Sequence, residues 1–393
     1  MTFPTRYDVA VVGAGPAGAR SAEALARRGF NVALFERDPL PGLPVHCTGI
    51  VSAECFERYG LPASLLVQEV KSFVLTSPSG RRAHVRRNAT QAYVLDRVEL
   101  DRLLVRRAVN AGAELIMSTA VEAVTWAEGG GATLRASQAG YPIEVSARSA
   151  IVATGFGSKL PRRVGLGGPS DVLSGCQAVV ENIGGAEELE VMTGSAYGDG
   201  GFGWLLPWKP GLALTGILTR RDTMAYLRTQ VARLQYSGRI GAVQEMFRCR
   251  AIPLGASNRT VMNGIIGVGD AMGQVKPTSG GGIFFSLLCA DVASEVLGDA
   301  LLAGDVSAAR LQPYERRWRA LLEQEIRQGY ALRRILEQMP EPVVEHLHRM
   351  LNIPGLRNIL LRSAASFDWH SGPLTNLLAR LQKQTERARA PAH

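Results

Sequence analysis

The stretch DVAVVGAGPAGARSAEALARRGFNVALFER, Asp8 to Arg37, constrains the fold of this chain most. Tyr7 to Val12 reads as a strand buried on both faces, because its apolar residues run on without alternating. Gly13-Ala14-Gly15-Pro16-Ala17-Gly18 opens a helix running to about Arg28, and Asn31 to Phe35 is a second strand ending in Glu36. Gly13 permits a tight turn, Gly15 leaves room for a pyrophosphate, and Gly18 lets the helix pack closely on the strand. Glu36 stands where a carboxylate holds a ribose diol, with Arg37 beside it. Strand, glycines, helix, strand and acid in register predict a Rossmann-like unit holding a dinucleotide. A glycine-rich turn without ligand is the plainer alternative.

A second glycine-rich segment, GDAMGQVKPTSGGGI, runs from Gly269 to Ile283. It follows an apolar strand-like run, GIIGVG, which puts Asp270 where a carboxylate can hold a ribityl hydroxyl. A helix starting near Gly281 would point its free N–H groups and positive dipole end at a flat ring. Three consecutive glycines, through Gly281 and Gly282, would let the backbone approach that ring without Cβ atoms between. Such a helix end favours the reduced, hydride-donating state of a flavin. NAD would not require a second phosphate-and-ring site so far along the chain, so the two segments together predict FAD.

The 393 residues suffice for two or three domains with substantial cores. No run of about twenty apolar residues could span a bilayer. The N-terminus leads almost directly into the first strand, so no signal peptide is expected. Five cysteines (Cys47, Cys55, Cys176, Cys249, Cys289) lie scattered without a CxxC pair. That pattern predicts a reducing, cytoplasmic setting with neither disulfide framework nor metal site. The net charge of +9 comes mainly from arginine and suits an anionic membrane surface, which implies a peripheral position on the inner membrane face. Solvated helix surface is the plainer account, and nucleic acid is not an expected partner.

The expected class is α/β, with interleaved domains. Segments 1–70, 96–160 and 259–300 are assigned to a discontinuous FAD-binding domain. Segments 71–95 and 161–258 are assigned to an antiparallel substrate-binding sheet with two amphipathic helices, and 301–393 to a C-terminal helical region. Val70 to Val85 reads as strands around a turn at Ser77-Pro78-Ser79-Gly80, and Arg97 to Gly112 as a helix with Leu100, Leu103, Leu104 and Ala108 at helical spacing. Ala150 to Gly155 is a buried strand returning to the FAD sheet. Leu311 to Gln338, Glu341 to Asn352 and Pro373 to Arg387 read as helices.

GAGPAG with Glu36, PVHCTG (Pro44 to Gly49), LDRVELDRLL (Leu95 to Leu104) and GDAMGQVKPTSGGGI together resemble the geranylgeranyl reductase family. These are flavoproteins with the p-hydroxybenzoate hydroxylase fold. YERRWRALLEQEI from Tyr314 and FDWHSGPLTNLL from Phe367 resemble the tail of archaeal-type members. The resemblance implies FAD contacts at Ala17, Glu36, Cys47, Thr48, Arg97, Val121, Asp270, Gly282 and Ile283. GFGWLLP (Gly201 to Pro207) resembles the family's YxWxFP motif, which implies a prenyl cavity lined at Phe202, Trp204 and Pro207. Phe202 replaces that motif's tyrosine, Leu206 its phenylalanine, and Gly216-Ile217-Leu218 its GxG. Ile50 stands where glycine is usual. Thr154 replaces the aspartate of the hydroxylases' Ala-Asp-Gly motif.

The implied reaction saturates double bonds of geranylgeranyl chains on an isoprenoid lipid, with hydride from N5 of reduced FAD. An apolar, dry passage lined by Phe202, Trp204, Leu205 and Pro207 suits that chemistry; the same residues as plain sheet core are the alternative. Cys47, on a Pro/Gly-tethered loop, is a candidate to donate a proton or to tune the ring, and a small buried hydrophobe is the alternative. His46 is a lesser candidate, and Lys276 either neutralises the ring, binds an NADPH phosphate, or is structural. No second GxGxxG precedes a strand–helix unit, so NADPH visits transiently or reduced ferredoxin delivers the electrons. Arg316, Arg317, Arg319, Arg327, Arg333 and Arg334, interspersed with apolar residues, fit docking on a bilayer or packing with solvated cations. Other functions on the same features are a flavin-dependent monooxygenase or halogenase, or an electron-transfer flavoprotein serving a quinone. The quinone route would want an iron–sulfur cysteine cluster that these cysteines do not make.

Overall fold

The structure, a computed structural model, describes residues 7–45, 47–198, 200–246, 249–353 and 367–369. In chain order the first third runs β1 (Tyr7–Val12), α1 (Pro16–Ala26), β2 (Val32–Phe35), β3 (Ile50–Ser52), α2 (Ala53–Arg58), β4 (Leu66–Val70), β5 (Ser72–Thr76), β6 (Arg82–Arg86), β7 (Ala92–Leu95) and α3 (Arg97–Asn110). Next come β8 (Glu114–Ile116), β9 (Thr119–Trp126), β10 (Ala132–Gln138), β11 (Tyr141–Val152), α4 (Leu160–Arg163), β12 (Asp171–Asn182), β13 (Leu189–Thr193), β14 (Phe202–Pro207) and β15 (Leu212–Thr219). The rest is α5 (Thr223–Tyr236), β16 (Ile240–Met246), β17 (Arg250–Leu254), β18 (Val261–Met262), β19 (Ile265–Gly267), α6 (Ile283–Leu302), α7 (Ala308–Glu337) and α8 (Glu341–Leu351).

The first sheet has the order β18-β19-β11-β1-β2-β8, with β19, β11, β1, β2 and β8 parallel. Its central strands are apolar on both faces because both are covered. One face carries α1, α3, α6 and α7, where Val9, Val11, Leu34 and Ile151 meet Leu104, Phe285, Trp318 and Leu322. The other face carries the β9–β10 meander through Val124, Leu134 and Val145. The strand expected over Ala150 to Gly155 is the end of the twelve-residue β11 and stops at Val152.

The second sheet runs β16-β12-β15-β14-β13-β5-β6, with β17 also on β12. It is antiparallel except at β13–β5. The parallel seam arises because the β5–β6 hairpin enters from an earlier part of the chain. α5 covers the back of this sheet, and a small sheet, β3-β7-β4, covers part of its front. Of the two amphipathic helices expected here, only α5 has length; α4 is a four-residue turn. The class is therefore a Rossmann-like α/β unit interleaved with a largely antiparallel sheet, followed by helices.

Helix starts are set locally. Asp96 caps α3 by accepting the Val98 and Glu99 N–H groups at 3.1 and 3.3 Å, which fixes Arg97 as the first helical residue. Ser307 caps α7 in the same way, 3.3 Å from the Arg310 N–H. The segment expected as a helix over Pro373 to Arg387 lies outside the described residues.

Candidate functional site

The first glycine turn is built to a tolerance that side chains would break. Gly13 has φ +101°, and a Cβ there would fall 2.5 Å from the Ala153 oxygen. A Cβ on Gly18 would overlap the Gly13 carbonyl. At Gly15 a Cβ would meet nothing within 4 Å, so open space lies beside the turn. Glu36 reaches back to the turn, accepting the Ala14 N–H at 2.8 Å and the Asp38 N–H at 3.0 Å. Arg37 is exposed and lies 3.5 Å from Asp38. Val121, on β9, packs half-buried against the cluster beneath β1 and β2.

The second glycine segment lies against the first. A Cβ on Gly269 would sit 3.0 Å from that of Ala17 on α1. The turn is held by a buried relay: the Gly269 N–H donates to Gln274 Oε1 at 2.7 Å, Gln274 Nε2 to the Tyr314 oxygen at 3.0 Å, and the Tyr314 hydroxyl to the Gly267 carbonyl at 2.9 Å. Burial pushes the Asp270 carboxyl up to about 6, while Arg97 and a hydrogen bond with Ser286 pull it down. Gly281 and Gly282 are small partly for the protein's own reasons. Their Cβ atoms would lie 2.9 Å from Lys276 Cε and 2.5 Å from Asp270 Oδ1. Ile283 is the first residue of α6, and Gly282 its cap.

Loops from the other sheets converge on this place. Burial works against charge on Arg97, but Asp101 and the Cys47 sulfur outweigh it and hold the guanidinium firmly protonated. Its Nε is buried without a partner among the described residues. Cys47 accepts the Gly49 N–H at 3.4 Å. Thr48 donates to Oε1 of Gln177, on the front of β12, at 3.0 Å. Cys47, Arg97 and Asp270 thus form one electrostatic cluster, whereas His46 lies outside the described residues. Lys276 is buried, paired with Asp368, and 4.7 Å from the Phe367 ring centroid. Trp369 packs on Phe284 and Phe285 at the start of α6.

On the front of the second sheet, Phe202 and Trp204 lie 6.0 Å apart. They share an apolar cluster with Leu173, Leu218, Ile252 and Tyr330. That cluster reaches the glycine loop, since a Cβ on Gly280 would lie 3.2 Å from Ile252. The Trp204 indole lies across Gly216, where a Cβ would overlap the ring. Pro207 and Leu205 do not share this lining. Strand alternation turns them to the back, where Leu205 packs under α5. The arginine-rich tail packs rather than floats: Trp318, Leu322 and Ile326 are buried in the first core. Arg317 meets Glu295 at 2.6 Å, Arg319 meets Glu315 at 3.0 Å, and Arg333, 1% exposed, meets Glu337 at 3.1 Å. Gln177 and Asp368 escaped the sequence reading, because nothing local marks a polar residue whose partner lies some ninety or more positions away.

Those residues fit FAD: an open cradle beside Gly15, an acid at the turn, an orphaned Arg97 nitrogen, and the start of a twenty-residue helix beside an apolar front. A family profile described as the FAD binding domain matches residues 6–208. Digeranylgeranylglycerophospholipid reductase 2 of Methanothermobacter thermautotrophicus is 31% identical over 367 residues, 90% of this chain and 94% of that protein. The digeranylgeranylglycerophospholipid reductase of Methanocaldococcus jannaschii is 29% identical, over 88% of this chain and 90% of its own. A solved geranylgeranyl bacteriochlorophyll reductase-like protein of Thermoplasma acidophilum superposes with a TM-score of 0.82 at 22% identity, over 92% of this chain and 96% of that one. A flavin-dependent brominase superposes at 0.73 and 17% identity, over 97% of this chain and 100% of the other. At those identities the two structures speak to the fold alone.

Proposed function

This chain belongs to the digeranylgeranylglycerophospholipid reductase family of FAD-binding proteins, and from that premise we propose that it saturates double bonds of geranylgeranyl chains on a glycerophospholipid. The observation that carries the reading is the junction of the two glycine segments with the apolar front bearing Phe202 and Trp204. In this reading, segments 1–70, 96–160 and 259–300 hold the cofactor, and 71–95 with 161–258 face the lipid.

Bound there, FAD supplies a hydride from N5 of its reduced ring. The chain's residues bind, orient and keep water out. Gly13, Gly15, Ala17 and Gly18 make room for the pyrophosphate, and Glu36 holds a ribose diol. Asp270 takes a ribityl hydroxyl, and the α6 N-terminus at Gly281, Gly282 and Ile283 stabilises negative charge on the ring. Thr48, Arg97, Arg37 and Val121 complete the cradle. Phe202, Trp204 and Leu218 exclude water from the alkene. The Cys47 thiol, set against Arg97, gives the proton that completes addition of two hydrogens. Electrons come from outside, from NADPH or reduced ferredoxin, and anaerobic bleaching of the flavin by one but not the other decides between them. The basic chain meets its lipid at the cytoplasmic face of an anionic membrane. No helix among the described residues is long and apolar enough to cross one.

The test is anaerobic incubation of dithionite-reduced holoprotein with geranylgeranyl glycerophospholipids, read by mass spectrometry. Successive gains of two hydrogens are expected, slowed in Cys47→Ala with FAD retained. Absence of any gain, or oxygenated product in air, would move the assignment to a flavin monooxygenase.

A further inference from the structure

We propose that Cys249 and Cys176 form a peroxide-responsive thiol pair on the back of the second sheet. β17 runs antiparallel to β12 with Gly175 opposite Arg250 and Ser174 opposite Ala251. Continuing that register by one residue sets Cys249 opposite Cys176. Residues directly opposite in such a pair hold their Cβ atoms about 4.5–5.5 Å apart, a small adjustment from the roughly 3.8 Å of a disulfide. Both thiols are reduced, hydrogen-bonded to one another, and packed in the same cluster under α5.

The two sulfurs differ in access. Cys176 is 4% exposed, and burial, with Cys249 beside it, pushes its thiol up to about 12. Cys249 is half-buried and lines a cavity of about 570 Å³ with Arg221, Arg228, Asp222 and Arg220, the last of these paired with Asp171 and Glu337. An electropositive, partly exposed surrounding is where reactive cysteines are found. Hydrogen peroxide entering that cavity transfers one oxygen to the Cys249 sulfur. The O–O bond breaks, an S–O bond forms, and a water leaves. The Cys176 sulfur then displaces that oxygen: an S–S bond forms, the S–O bond breaks, and the thiol proton departs with hydroxide as a second water. Two thiols have lost two electrons and one peroxide has gained them.

A flavin that meets dioxygen while reduced is a source of that oxidant, and this clause alone rests on the FAD reading. The position matters for the site. Gly175 and Gln177 flank Cys176 on the opposite face of β12. Gly175 abuts Ile252 and Leu218, which contact Gly280, and Gln177 holds Thr48. A covalent tie on the back therefore restrains the strand that carries the front.

The experiment treats purified full-length protein with hydrogen peroxide, blocks remaining thiols, and maps peptides without reduction. The expected product is a Cys176–Cys249 cross-linked peptide two hydrogens lighter than its reduced components, restored by dithiothreitol. In Cys176→Ser, Cys249 should instead trap a sulfenic-acid reagent such as dimedone. Oxidation confined to other cysteines, or Cys249 passing to sulfinic acid in wild type with Cys176 untouched, would overturn the proposal. Because the peroxide is added, protein that fails to bind FAD still answers the question.

Discussion

Asp270 is a site residue whose state is set by its surroundings. An aspartate in an unfolded chain titrates near 3.9, whereas burial raises Asp270 to about 6. Between those values the folded apoprotein keeps a proton that the unfolded chain has released, so stability from this group falls as pH rises from about 4 to about 6. Asp270→Asn removes the effect. The melting temperature of the variant should gain on wild type across that window and then run parallel to it; a constant difference throughout would show that Asp270 ionises unperturbed. Much at this scale could be read in advance. Gly13, Gly18 and Asp270 announce themselves because turn geometry and a charge after an apolar strand are local signals. Lys276 does not: its partner Asp368 stands ninety-two positions on, and no spacing rule connects them.

At the scale of elements, α7 both closes the first core and fixes the loop bearing Asp270. Tyr314 is the link, accepting from Gln274 and donating to Gly267. Tyr314→Phe leaves a buried amide and a buried carbonyl each short of a partner, at a cost of about 1–3 kcal/mol. Urea denaturation should show that loss, with weakened FAD binding in the same variant; full stability and unchanged affinity would mean that the relay is dispensable. The helices themselves were legible: α3 and α7 carry side-chain caps, α1 follows the glycine turn with an apolar face, and α6 is a long apolar run after its glycines. Faces of strands were harder. Pro207 and Phe202 belong to one motif, yet they fall on opposite sides of β14 because odd and even positions part company. The parallel β13–β5 seam had no sequence signal, as it joins segments more than a hundred residues apart.

For the molecule as a whole, the excess of +9 is spread along the chain, and on α7 Arg317, Arg319, Arg333 and Arg334 are engaged in ion pairs. Attraction to a membrane should then be diffuse and steeply sensitive to salt. Binding to vesicles containing anionic lipid should fall sharply as salt rises from about 0.1 M to about 1 M, where the screening length shrinks from about 10 to about 3 Å. Retention at high salt would point instead to apolar insertion. Phe367–Trp369 add a matter of order along the chain. The turn at Gly13 and the residues that close on Lys276, Phe284 and Phe285 come from widely separated parts of the sequence, so the two ends of the cradle are completed independently. A chain cut before residue 367 would keep the pyrophosphate turn, while Lys276 would lose its carboxylate partner and the start of α6 the indole that packs on it.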